Sequence, residues 1–131
     1  MNGNSAVLDS NLLIFISKGL INWASLTTKY GRLFVSIKTY IEVNAYDFVD
    51  QSEKRPLDDL FDSLEVVEVE DRLADFAIEY RRSFKKKIKL PDALILATAK
   101  LEQADLITDN FQDFAGIDST VVVLNLDQFR I

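Results

Sequence analysis

Histidine and cysteine are both absent from the 131 residues. Without histidine there is no Ser-His-Asp or Cys-His nucleophilic mechanism, no histidine acid–base nuclease and almost no route to a zinc enzyme. Without cysteine there are no disulfides and no thiolate metal site, which fits a reducing interior. Long hydrophobic runs are missing too. The apolar run Leu12 to Ile16 is short, Asp9 interrupts it upstream, and no basic start precedes it. Neither a signal peptide nor a membrane span is predicted, and the expected location is cytoplasmic. Positive charge is in deficit: 15 Lys and Arg against 21 Asp and Glu give a net charge of −6. That balance weighs weakly against nucleic acid, because phosphate binding is driven by Lys and Arg. Chemistry must therefore come from carboxylates, hydroxyls, lysines or a hard metal ion.

What is present suffices for one core. A chain of this size, 48% hydrophobic, buries roughly two-thirds of its unfolded surface without staples. Ala6-Val7-Leu8 reads as a strand and Leu12 to Ile16 as the start of a helix. A second helix opens at Asn22 or Ser25 and ends near Gly31, a C-terminal cap. Leu33-Phe34-Val35 reads as strand two, and Ser36 caps a helix running to about Asp50. Pro56 opens a helix through Ser63. Glu65 to Glu70 alternates as a strand, and Asp71 caps a long helix from about Arg72 into a run of lysines. Pro91 opens a helix ending near Gln103. Leu106 to Thr108 and Val121 to Leu124 are the last strands, with a helical turn around Phe111 to Phe114. Short β-rich runs alternating with helices predict a single three-layer α/β/α domain over residues 1–131, around a central, mainly parallel sheet of about four to five strands. No repeat, linker or low-complexity segment divides it.

The charges are unevenly spread. Arg81, Arg82, Lys85, Lys86, Lys87 and Lys89 lie together, whereas acids dominate Asp58 to Asp75. The basic run has two readings, an RNA-facing surface or plain solvated charge ending a helix. The aromatics read mostly as core, with Trp23 and Tyr46 the candidates for base stacking or a dimer interface.

In open α/β sheets ligands bind beyond the carboxyl ends of the strands. Asp9 follows strand one, Asp109 follows Thr108 at the end of strand four, and Asp113 lies one helical turn further on. Placing Ile37, Ile41, Ala45 and Phe48 at helical spacing gives an apolar stripe. Glu42 falls at its border, from where it would reach a cleft while partly buried. Asp92 opens a helix on the face shared by Ile95, Leu96 and Ala99. Singly, each acid reads as a helix-start or turn residue, worth roughly 0.3–1 kcal/mol with a helix dipole. Aimed together at one end of a sheet, they repel one another unless a cation intervenes. An all-oxygen set suits Mg²⁺ or Mn²⁺, ions that hold phosphate oxygens and activate water.

Four segments then carry a resemblance. "AVLDSNLLI" (6–14) resembles the opening motif of PIN-domain nucleases, and "VSIKTYIEV" (35–43) their second, a small hydroxyl residue with the acid some six positions on. "LPDALILATA" (90–99) is similar to the third, an Asp-Ala pair opening an apolar helix. "LITDNFQDF" (106–114) is similar to the fourth, a strand ending in Thr before acids and a Phe. Order and chain length resemble the single-domain toxins of VapC type. The resemblance implies a metal-dependent endoribonuclease, a homodimer and a small inhibitory antitoxin. Asp9, Glu42 and Asp92 match the metal-binding and catalytic acids. The fourth matches Asp113 by its offset beside the Phe, with Asp109 the other candidate. Asn11, Ser36 and Thr108 match positions that support the acids or the attacking water. Ser10 stands where the family usually has Thr, and Asn110 where some members have an acid.

Two other acidic Mg²⁺ sites fit less well. A haloacid-dehalogenase-like phosphatase needs a second Asp two residues after the first, where Asn11 stands. A phospho-receiver expects paired acids near the first strand end, and Asp9 is alone there. The remaining alternative is a degenerate PIN module that binds RNA or a protein without cleaving.

Overall fold

The computed structural model describes residues 4–83 and 86–131. Its elements run in the order β1 (Ser5–Leu8), α1 (Ser10–Ser17), α2 (Trp23–Lys29), β2 (Arg32–Ser36), α3 (Ile37–Asn44), α4 (Lys54–Phe61), β3 (Glu65–Val67), α5 (Asp71–Arg82), α6 (Leu90–Glu102), β4 (Asp105–Thr108), α7 (Phe111–Phe114) and β5 (Val123–Asn125). Short 3₁₀ turns at Gln51–Glu53 and Leu126–Phe129 complete them. The five strands form one sheet in the order β3-β2-β1-β4-β5. Every neighbouring pair is parallel.

Strand alternation sends side chains to two cores. Ala6, Leu8, Leu33, Val35 and Ile107 face α1, α2 and α4. Val7, Phe34 and Leu106 face α5, α6 and α7. A central strand buried on both sides needs apolar residues throughout, which is why β1 reads Ala-Val-Leu without polar interruption. Leu12, Leu13, Ile95 and Leu96 are fully buried, each contributing roughly 1.5–3 kcal/mol. The chain leaves β1 for β2 on one side and returns to β4 on the other. The carboxyl ends of β1 and β4 thus flank the point where strand order reverses, the usual ligand crevice of such sheets.

Several expected boundaries move. The helix after β2 stops at Asn44, not near Asp50, because the Asp50 carboxylate instead accepts the Ser52 N–H at 2.9 Å and caps the next turn. The following helix spans Lys54–Phe61, beginning before Pro56 and ending before Ser63. The third strand is only Glu65–Val67, and Asp71 is the first helical residue after it, with Glu70 at the cap position. Tyr30, not Gly31, ends α2; the Gly31 N–H binds the Asn4 carbonyl. The last strand begins at Val123. The helix expected to enter the lysine run ends at Arg82 with extended Ser83 as its cap, and residues 86–89 are not helical. Lys85 lies outside the described residues.

Candidate active site

Asp9 follows β1 directly and caps α1, its carboxylate accepting the Ser10 N–H at 2.8 Å. It is only 5% exposed. The Thr108 hydroxyl, at the end of β4, donates to its other oxygen at 2.8 Å and accepts the Asn110 N–H at 3.0 Å. Burial pushes the Asp9 carboxyl above its ordinary 3.8, opposed by Thr108, Ser10 and the charge of Lys38, and reinforced by Asp109. Next to it, Asn11 donates to one Asp109 oxygen at 2.8 Å. The other Asp109 oxygen is buried and has no hydrogen-bond partner among the described residues.

The second strand ends at Ser36, almost fully buried, whose hydroxyl caps α3 by accepting the Lys38 N–H at 3.1 Å. That cap fixes the helix phase, and the phase differs from the predicted stripe. Thr39 and Val43 turn inward, while Ile41 is 60% exposed. Glu42 is consequently exposed rather than partly buried, and forms an i,i+4 ion pair with Lys38 at 2.8 Å. An exposed pair of this kind contributes about 0.3–0.5 kcal/mol, so the pairing is easily exchanged.

Pro91 sets the first turn of α6, which holds Asp92 half-buried at its head. Burial raises the Asp92 carboxyl, and the negative charges of Asp9 and Asp113 raise it further; Lys38 and Lys89 pull it back. Asp113 stands exposed on the single turn of α7. Asp9, Asp92, Asp109 and Asp113 therefore lie within one another's field at one end of the sheet, with Lys38 linking Glu42 to them. Among the described residues no three of these acids stand close enough to grip an ion as they are. Even so, the all-oxygen donors, the mutual repulsion and the orphaned Asp109 oxygen fit a hard divalent cation.

The basic residues divide. Arg81 donates to the Ile88 carbonyl at 2.7 Å and Lys86 to the Ala115 carbonyl at 3.4 Å, so both tie the segment before α6 to its surroundings. Arg82, Lys87 and Lys89 are exposed. Of the two aromatic candidates, Trp23 packs partly buried against the core. Tyr46 is 62% exposed and meets Phe48 edge-on at 4.8 Å. Both line a cleft of about 370 Å³ with Ile14 and Val43, which opens at Asn11 and Glu42 beside the acids. Lys38 is the residue that sequence reasoning missed; its four-residue spacing to Glu42 was the available signal.

Residues 6–118 match the PIN domain family. No curated protein is a significant match. Among solved structures, a toxin–antitoxin complex from Klebsiella pneumoniae is 30% identical, with 89% of this chain and 95% of that chain covered and a TM-score of 0.68. DNA-bound VapBC from Salmonella typhimurium is 18% identical over 93% of this chain and 98% of that one, TM-score 0.77. VapBC-1 from nontypeable Haemophilus influenzae is 20% identical over 94% and 98%, TM-score 0.74. With the family pattern spanning most of its length and its four motif segments meeting at one sheet edge, the chain belongs to the PIN-domain family.

Proposed function

We propose that this protein is an Mg²⁺- or Mn²⁺-dependent endoribonuclease that hydrolyses RNA phosphodiester bonds, and that it is the toxin of a toxin–antitoxin pair. The observation carrying the reading is the cluster of mutually repelling carboxylates, Asp9, Asp92, Asp109 and Asp113, in a chain with no histidine to serve as base. Those four, with Glu42, would hold the ion. A bound divalent ion lowers the pKa of its water and neutralises charge on the phosphate. The chain's own residues do the positioning. Thr108 and the Ser10 N–H fix the Asp9 carboxylate, Asn11 fixes Asp109, and Ser36 fixes the start of the helix bearing Glu42. Arg82, Lys87 and Lys89 present positive charge beside the acids, where a polyanion must lie; Arg81, Lys85 and Lys86 belong to the same basic run.

The antitoxin and homodimer follow the same likeness. The apolar cleft ending at Glu42, with Ile41, Tyr46 and Val49 exposed around it, is a surface of the kind that protein partners cover. An inhibitor seated there would lie against the acids. Among the described residues no helix is long and apolar enough to cross a membrane, in keeping with an RNA substrate met in the cytoplasm. One observation favours the second reading, a PIN module that binds without cutting: the acids as they stand do not converge on an ion. Incubating the purified protein with total RNA in Mg²⁺ or Mn²⁺, beside an EDTA control, separates the two. Cleavage that EDTA abolishes supports the nuclease, and intact RNA that is nonetheless retained supports the binding module.

A further inference from the structure

The acid site contains a cation of its own. The Lys38 ammonium lies 2.9 Å from one Glu42 oxygen and 2.8 Å from the other, so a single group covers both. An ammonium has three donors; two serve Glu42, leaving one to point elsewhere. The side chain is only 20% exposed, and its backbone N–H is tied to Ser36 at the end of β2. Its charge also acts on Asp9 from β1 and Asp92 from α6. An ordinary surface pair answers one acid, whereas Lys38 stands among acids from three elements. Lys54 and Asp58 offer the comparison, the same spacing and the same 2.8 Å on α4.

Two-metal phosphodiesterases place two positive charges roughly 3.5–4 Å apart to clamp the attacking and leaving oxygens. Lysine is a compact point charge able to stand in one such position. Resting on the nuclease reading above, we propose that Lys38 supplies one of these two charges. The site then takes a single divalent ion among Asp9, Asp92, Asp109 and Asp113, while the third donor of Lys38 faces a phosphate oxygen from the Glu42 side. Lys38 gives up no proton and forms no bond to phosphorus; its part is charge.

The test is Mn²⁺ titration of the metal-free chain by calorimetry, for the wild type, Lys38→Met, Lys38→Arg and the control Lys54→Met, each checked for folding by circular dichroism. The wild type, Lys38→Arg and Lys54→Met should each bind one Mn²⁺ per chain, and Lys38→Met two. At limiting Mn²⁺, Lys38→Met should cut RNA at least about tenfold more slowly, recover in excess Mn²⁺, and differ in this from Lys38→Arg. A wild type that binds two ions, or a Lys38→Met variant with unchanged stoichiometry, overturns the proposal. If the wild type binds one ion and Lys38→Met two but neither cuts RNA, the nuclease reading fails while the charge substitution stands. A wild type that binds no Mn²⁺ overturns both.

Discussion

Asp92 shows how one residue's chemistry is set by its place. Its carboxyl is raised by burial and by Asp9 and Asp113, so in the metal-free protein its charge is a liability that a helix dipole only partly offsets. Asp92→Asn keeps the shape and the capping ability. It should abolish cleavage and, without metal, raise the melting temperature by about 1–2 °C, a small effect because the site is half open to water. If the carboxylate served only as a helix-start acid, the variant would melt lower and still cut. The sign with pH follows. A carboxyl whose folded pKa lies above 3.8 binds protons more readily when folded, so stability is lost as pH rises through the raised value. The variant's advantage should therefore be present at neutral pH and shrink as pH falls toward 3.8. Asp109 and Asp113 form a second test. The motif offset points to Asp113, but Asp109 is held by Asn11 and has an oxygen with no partner. Asp109→Asn should slow cleavage at least as much as Asp113→Asn, and loss confined to Asp113→Asn would restore the offset assignment.

The α5 helix is anchored to the loop behind α7 by one polar link. The Tyr80 hydroxyl donates to Asp118 at 2.6 Å, and Thr120 donates to the same carboxylate from its N–H and its hydroxyl. Burial raises the Asp118 carboxyl, but Thr120, Tyr80 and Lys100 together bring it below its ordinary range. Tyr80→Phe should cost about 1 kcal/mol in chemical denaturation, since Thr120 still satisfies the carboxylate, and leave cleavage unchanged. Asp118 stabilises above its unfolded pKa, and this contribution should fade as pH falls through the lowered folded value. At this scale the sequence was only partly legible. Strand runs followed by Asp gave β1 and β4 with their acids, because a buried parallel strand must be apolar and must stop where polarity begins. The phase of α3 was not legible. Hydrophobic spacing favoured Ile41, but Ser36 sets the turn so that Thr39 and Val43 go inward. Ile41 is apolar for a surface, not for the core. The end of α5 was equally hidden, since nothing between Arg82 and Lys89 breaks a helix by composition.

For the whole molecule, the net charge of −6 misleads, because the charges are sorted. Arg82, Lys87 and Lys89 are exposed near the head of α6, and Lys89 is close enough to act on Asp92. Replacing all three by Ala should weaken RNA binding and flatten the log–log salt dependence by roughly 0.7–0.9 per lost phosphate contact, with Mn²⁺ affinity nearly intact. An unchanged slope would return the run to solvated surface charge. The motif order made most of the site readable in advance because each acid follows a strand or opens a helix, places where local sequence fixes position. Lys38 escaped because its pairing with Glu42 is a commonplace of exposed helices, and only the third dimension brings Asp9 and Asp92 beside it. The central claim is that these carboxylates jointly hold the ion that cleavage requires. Its most direct test measures Mn²⁺ affinity and RNA cleavage side by side for the wild type and Asp9→Asn. Both should be lost together in a variant that remains folded, whereas an Asp9→Asn protein that binds Mn²⁺ and cuts RNA like the wild type would contradict the account.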